Sequence, residues 1–259
     1  MYVNEKSKYL YTKLVDKIWK EHGELQTFML REFGKDFRNC KVEKLIEYRA
    51  FLIPNNSYLI QMEGEISAPQ HGLYRSDKCI FNKRLVIPII GFDGFVHSFI
   101  GYDNGNAVSE IKDKLSHIYY IYQSREVFNK ERYMLITPEE YREAIELDYI
   151  CLTDGVFDKI TVSETGTPCA SLLSSRLTKY HINYLRYIKN WIVLADNDNA
   201  GTMLTQYCKR INPNTTRMRF SGAKDIDEFI LKGTTNRDKF LTCLAEMKQM
   251  GRYVDWAIS

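Results

Sequence analysis

The residues best equipped for chemistry in this 259-residue chain are acidic, and they stand where apolar runs stop. Trp191, Ile192, Val193 and Leu194 read as a short buried strand, and WIVLADNDNAG then presents Asp196 and Asp198, one residue apart. A second strand over residues 149–152 ends at Thr153-Asp154-Gly155, and a third over 217–220 leads into KDIDEF, with Asp225, Asp227 and Glu228. Carboxylates gathered from three strand tips repel one another unless a cation lies among them. Mg²⁺ takes oxygen ligands, commonly one or two carboxylates with water, and shares phosphate oxygens with a substrate. Two such ions stabilise the attacking and leaving oxygens of an in-line displacement, so the constellation suits phosphoryl chemistry. Gly155 and Gly201 leave the backbone open to close approach at these tips.

Taken singly, each motif also has a structural reading. DNDNAG is equally an Asx turn leading into a helix N-cap, because Asp and Asn side chains accept bonds from free N–H groups. Asp154-Gly155 is equally a plain turn. Asp225 with Glu228 fits a D-x-x-E capping box at least as well as a metal site.

Holding three acidic tips together requires strands that alternate with helices. Helices are expected near residues 156–164 and 180–188, through Met203, Leu204, Tyr207, Cys208 and Ile211, and from KDIDEFI onward. That alternation predicts an α/β fold with a parallel sheet flanked by helices, whose ligands collect at the carboxyl ends of the strands. Upstream the pattern is mixed α+β. Leu10, Leu14 and Ile18 mark a packing helix near the start. RLVIPIIGFDGFVHSFIGY reads as a hairpin around Asp93-Gly94. TPEEYREAI opens a helix with Thr137 at the N-cap, Pro138 at N1 and Glu140 at N3. Changes of pattern divide the chain into a helical segment at 1–45, a mixed subdomain at 46–145, an α/β domain at 146–235 and a helical tail at 236–259.

Composition removes other classes. With 44% hydrophobic and 27% charged residues the chain is an ordinary globular protein, and a net charge of +3 is silent on nucleic-acid partners. Six cysteines form no CxxC pair and five histidines no HxxxH pair, so no zinc site is expected. No apolar run is long enough to span a bilayer, MYVNEKSKYLYTKL lacks the core of a signal peptide, and GxxxxGK[ST] is absent. A cytoplasmic protein with no membrane association and no fused helicase is the expectation.

DGVFD from Asp154, DNDNAG from Asp196 and KDIDEF from Lys224 resemble, in order and spacing, the acidic motifs of the Toprim domain shared by bacterial-type primases, topoisomerases and some nucleases. Two segments outside that domain resemble primases in particular. RLVIPIIGFDGFVHSFIGY is similar to the primase segment RIMFPIRDRRGRVIGFGGR, and YIYQSREVFNKERYML to KYLNSPET…FxKGxxLYG. The resemblance covers roughly residues 80 to 230. It implies a Toprim-like sheet behind a primase-type N-terminal subdomain, and RNA primer synthesis on single-stranded DNA from ribonucleoside triphosphates. Asp154 falls on the family's catalytic glutamate, Asp196 and Asp198 on its metal-binding DxD pair, and Asp225 on its later acidic motif. All four are implied metal ligands, for Mg²⁺ or Mn²⁺, the first three being catalytic. Arg84, Lys130 and Lys224 fall on basic positions that face nucleotide or nucleic acid.

Three departures stand out. Asp154 is one methylene shorter than the glutamate it replaces. ASLLSS at 170–175 stands in place of ASLGTA, which predicts loss of the tight glycine turn, and GK before the last motif has become GAK. The family's zinc-binding module has no counterpart here, so a separate zinc module and a replicative helicase are expected partners. A Toprim nuclease and a non-catalytic replication adaptor are the alternative readings.

Overall fold

Leu10, Leu14 and Ile18, with Tyr11 and Val15 between them, are buried along one face of α1 (Glu5–Asp36), a long helix interrupted by the non-helical backbone of His22. Burying each of these side chains is worth roughly 1.5–3 kcal/mol, which is why the helix is held to a sheet. The computed structural model describes residues 5–36, 42–75, 77–102, 120–123, 128–250 and 255–258, in two compact units, Met1–Asn129 and Lys130–Ser259.

In the first unit, α1 is followed by α2 (Val42–Glu47), β1 (Phe51–Leu52), α3 (Tyr58–Met62), β2 (Tyr74–Arg75), β3 (Lys78–Cys79), β4 (Leu85–Ile90), β5 (Val96–Tyr102) and β6 (Tyr120–Tyr122). An antiparallel sheet in the order β1-β4-β5-β6 packs Val86, Val96 and Phe99 against α1, and β2 and β3 form a separate ribbon. The expected hairpin is present, but its connection runs from Gly91 to Phe95, with Ile90 opposite Val96. Asp93 enlarges the turn: its carboxylate accepts from Phe95 N at 3.2 Å and meets the His97 ring at 2.8 Å, while Gly94 takes φ 78°. Residues 103–119, residues 124–127 of YIYQSREVFNKERYML, and Cys40 lie outside the described residues.

The second unit opens with a 3₁₀ turn, Lys130–Arg132, and continues with α4 (Pro138–Glu146), β7 (Tyr149–Thr153), α5 (Val156–Ser163), β8 (Cys169–Ser171), α6 (Lys179–Leu185), β9 (Asn190–Val193), α7 (Asn199–Ile211), β10 (Thr215–Phe220), α8 (Ile226–Leu231), α9 (Thr234–Met250) and β11 (Trp256–Ile258). Its five strands are all parallel, in the order β11-β10-β9-β7-β8. Thr137, Pro138 and Glu140 form the expected capping box of α4. The short strand β8 was not expected, and beyond α9 the chain ends on an edge strand of the sheet. The apolar run 191–195 is buried throughout, and Trp191 Nε1 donates to the carbonyl of Ile188 at 2.9 Å. Because β8 lies on one side of β7 and β9 on the other, the chain reverses direction at this pair, and such a switch point opens a crevice at the strand carboxyl ends.

Candidate metal centre

β7 and β9 are neighbours with Leu152 opposite Val193, so Asp154 and Asp196 leave the sheet side by side at the switch point. A third acid joins them from α5. Gly155 is the N-cap of that helix and Asp158 lies in its first turn, which aims the carboxylate back at the strand tips. A Cβ on residue 155 would occupy the place of Asp158 Oδ2, so glycine is what lets this carboxylate in. One oxygen from each of Asp154, Asp158 and Asp196 lies within 4.8 Å of the others, and all three residues are half-buried. Among the described residues this is the grouping of acidic, histidine or cysteine side chains suited to a metal ion.

The charge of this cluster is offset only in part, by Lys224 beside Asp196. Burial, then Asp196 and Asp198, push the Asp154 carboxyl up to about 6. Burial, then Asp225, Asp227, Asp154 and Asp196, hold Asp158 well above the usual carboxylate range. Oδ1 of Asp154 is buried without a hydrogen-bond partner among the described residues. An orphaned carboxylate oxygen inside an all-oxygen donor set fits a hard divalent cation, which would supply the missing partner and charge.

A second tier of residues fixes the loops. Asp198 caps α7, accepting from Gly201 N at 2.8 Å, and Asp225 caps α8, accepting from Glu228 N at 2.7 Å. Glu228 in turn accepts from Lys224 N at 2.7 Å and pairs with Lys232. Lys224 places its ammonium 3.2 Å from Asp196 Oδ2 and 3.9 Å from Asp225 Oδ2, and the bond to Asp196 raises its pKa. Asp227 is buried, accepting from Thr161 Oγ1 at 2.6 Å. Asn197 ties two turns together: its side-chain amide donates to the carbonyls of Phe220 and Ala223, both at 2.9 Å, and its N–H to Lys224 O at 2.9 Å. Arg217, buried on β10, donates to Asp196 O at 2.9 Å and to Thr202 Oγ1 at 2.8 Å. Gly201 is required because a Cβ there would collide with the Asp196 carbonyl.

Residues 151–230 match the family described as Toprim-like. Over this stretch the chain is similar to that family. The DNA primase of Thermotoga maritima is 25% identical over 211 residues, which cover 75% of this chain and 35% of that protein. The chain thus spans about a third of the length of this curated relative. Among solved structures, the zinc-binding and RNA polymerase domains of the Aquifex aeolicus primase superpose with a TM-score of 0.70 at 20% identity, covering 96% of this chain and 62% of that one. The E. coli primase catalytic core gives 0.66 at 18% identity, with 94% and 78% covered. The RNA polymerase domain of Mycobacterium tuberculosis primase DnaG, in complex with a double-stranded DNA oligomer bearing a 6-nucleotide overhang, gives 0.72 at 13% identity, with 93% and 81% covered. The fold is that of a bacterial primase catalytic core.

Of the residues expected in the site, Asp154, Asp196 and Lys224 come together in the Toprim-like domain, with Asp198 and Asp225 at the helix caps beside them. Lys130 opens the 3₁₀ turn at the start of the same unit, and Arg84 lies half-buried ahead of β4 in the first unit. Asp158 was missed, although the second acid of DGVFD carried the signal.

The lost glycine turn requires a correction. Leu173 takes φ 57°, so ASLLSS keeps a left-handed turn without glycine. Ser171 Oγ braces the turn, accepting from Leu173 N at 3.2 Å and donating to Asp154 O at 3.1 Å, and the Leu173 side chain is buried. Left-handed backbone costs a non-glycine residue ~1–2 kcal/mol. A buried leucine is worth more, 2–5 kcal/mol on truncation to alanine. Leu173→Gly is therefore expected to lower stability by a net ~2 kcal/mol in urea unfolding, despite relieving the backbone.

The raised carboxyls carry a pH signature. A group whose folded pKa lies above its unfolded value near 3.9 stabilises the fold at low pH, and loses that contribution as pH climbs through the folded value, about 6 for Asp154. In EDTA, Asp154→Asn is thus expected to exceed the wild type in stability by ~2 kcal/mol at pH 8, the gap closing toward pH 4. Denaturant melts across that range measure it, and added divalent cation should reverse the order by binding only the wild type.

Proposed function

We propose that this chain is the catalytic core of a DNA-dependent RNA primase, acting in the cytoplasm on single-stranded DNA with ribonucleoside triphosphates. The observation that carries the reading is the Asp154–Asp158–Asp196 cluster, at the switch point of a Toprim-like sheet within a chain of primase-core fold. In the proposed reaction a 3′-hydroxyl attacks the α-phosphate of a ribonucleotide and pyrophosphate leaves.

Mg²⁺ or Mn²⁺, held by the three carboxylates, supplies charge neutralisation and polarisation of phosphate oxygens. The chain's own residues do the rest. Asp198 adds negative charge at the rim while fixing the start of α7. Arg217 and Asn197 hold the Asp196 turn in place, and Lys224 offers a cation next to Asp196 for the phosphates. Arg84 and Lys130 are assigned to nucleotide or strand contacts. A separate zinc-binding module and a replicative helicase are the proposed protein partners.

Labelled ribonucleotide incorporation on single-stranded templates of varied sequence, with Mg²⁺ or Mn²⁺, tests the assignment. Short template-dependent RNA is expected from the wild type and none from Asp196→Ala/Asp198→Ala. Robust synthesis by the double variant would overturn it.

A further inference from the structure

The segments that form α6 and α7 carry cations and no acids of their own. Residues 174–194 include Arg176, Lys179, Arg186 and Lys189 and no acid, and α7 adds Lys209 and Arg210, again with no acid, in a chain holding 33 acidic residues. Large apolar side chains also project here: Met203 is 70% exposed, Tyr187 58% and Tyr207 44%. Met203, Tyr207 and Arg210 recur at helical spacing and so share one face of α7.

That face borders a cavity of about 390 Å³. Leu177 and Leu204, both buried, form its floor, Met203 and Tyr207 its rim, and Arg176 and Arg210 border it from the turn after β8 and from α7. Among the described residues neither arginine meets a carboxylate, whereas the neighbouring Lys209 is paired with Asp255 at 2.7 Å. A second hollow at the end of α7, bordered by Ile211, Arg186 and Lys189, carries the same combination of apolar and cationic groups.

We propose that this groove binds an acidic amphipathic helix of a partner protein. Its apolar side chains enter between Leu177 and Tyr207, and its carboxylates meet Arg176 and Arg210. The stretch from Met203 to Arg210 rises about 10 Å, enough for roughly two turns of an occupant. The chemistry favours a peptide over a nucleic acid. Single strands are bound by a track of cations with flat aromatic faces for the bases. Within this groove the floor is leucine, Tyr207 is the one aromatic ring in the lining, and the most exposed apolar group is a methionine, whose flexible thioether adapts to apolar side chains. Helix-in-groove recognition of this kind reads apolar anchors at i, i+3 and i+4. The groove contains none of the residues of the acidic cluster.

Fluorescence anisotropy of the full chain tests it, with a labelled helical peptide of about four turns, glutamate on one face and leucine and phenylalanine on the other. A lysine analogue of the peptide is the control, and unlabelled oligo-dT the competitor. The acidic peptide is expected to bind, more weakly as salt rises. Binding should fall about tenfold or more in Arg176→Glu/Arg210→Glu and in Met203→Asp. The lysine analogue should not bind. Unchanged thermal melts establish that both variants fold; should either fail, Arg210→Gln and Met203→Ser replace them. The proposal is overturned if the acidic peptide does not bind, if folded variants bind it as the wild type does, or if oligo-dT displaces it and loses its own binding in the same variants.

Discussion

Asp196→Asn is expected to lower ribonucleotide incorporation by about a thousandfold, the scale on which a single preorganised electrostatic group at a reacting centre is felt. Asp196 is the acid on which most contacts converge. Its carboxylate belongs to the three-oxygen cluster and also receives Lys224, while its carbonyl is gripped by Arg217. Asparagine keeps the shape and the carbonyl contact but removes the charge, so the fold should survive while the cation loses a ligand. Two readouts separate chemistry from folding: incorporation at saturating nucleotide, and the rise in melting temperature caused by Mn²⁺. Both should collapse in Asp196→Asn, with the metal-free melt unchanged or higher. Asp158→Asn should behave in the same way. Wild-type incorporation by either variant would remove that residue from the mechanism.

The largest stability effect is expected away from the acids, at Lys159. Its side chain is 0% exposed, and its ammonium lies 2.8 and 2.7 Å from the two carboxylate oxygens of Glu140. Glu140 also accepts from Thr137 N at 3.0 Å in the capping box of α4, so one carboxylate starts that helix and pins α5. Removing one partner of a buried pair strands the other charge, at a cost of about 3–5 kcal/mol. Lys159→Ala should lose that much in denaturant unfolding. Exchanging both partners for apolar residues, as in Lys159→Met/Glu140→Leu, should recover much of it, leaving chiefly the lost cap at ~1 kcal/mol. A single variant no less stable than the wild type would show that water reaches the pair.

Much of this architecture was legible in local pattern. The run from Trp191 to Leu194, the spacing of Leu10, Leu14 and Ile18, and the Thr137-Pro138-Glu140 signature each report short-range physics, and each is realised. The elements that escaped depend on tertiary context. β8 is only three residues long, too short for periodicity to register. Leu173 lacks the glycine that ordinarily announces a left-handed turn, and burial of its side chain is what the sequence does not print. Asp158 was visible as the second acid of DGVFD, but its role follows only from the entry angle of α5, which Gly155 permits. The second use of Glu140 could not be read from a capping motif, because Lys159 lies 19 residues further on.

The three bonds of Asn197 make the turn after β9 and the turn before α8 a single cooperative piece. Neither can swing outward alone without breaking bonds that also hold the other, so local opening must release both together. Backbone amides on either side of Asn197, and those near Lys224, belong to one exchange unit although they lie far apart along the chain. Any ligand that steadies Asp196 would also be sensed at the start of α8, with no displacement required to carry the effect.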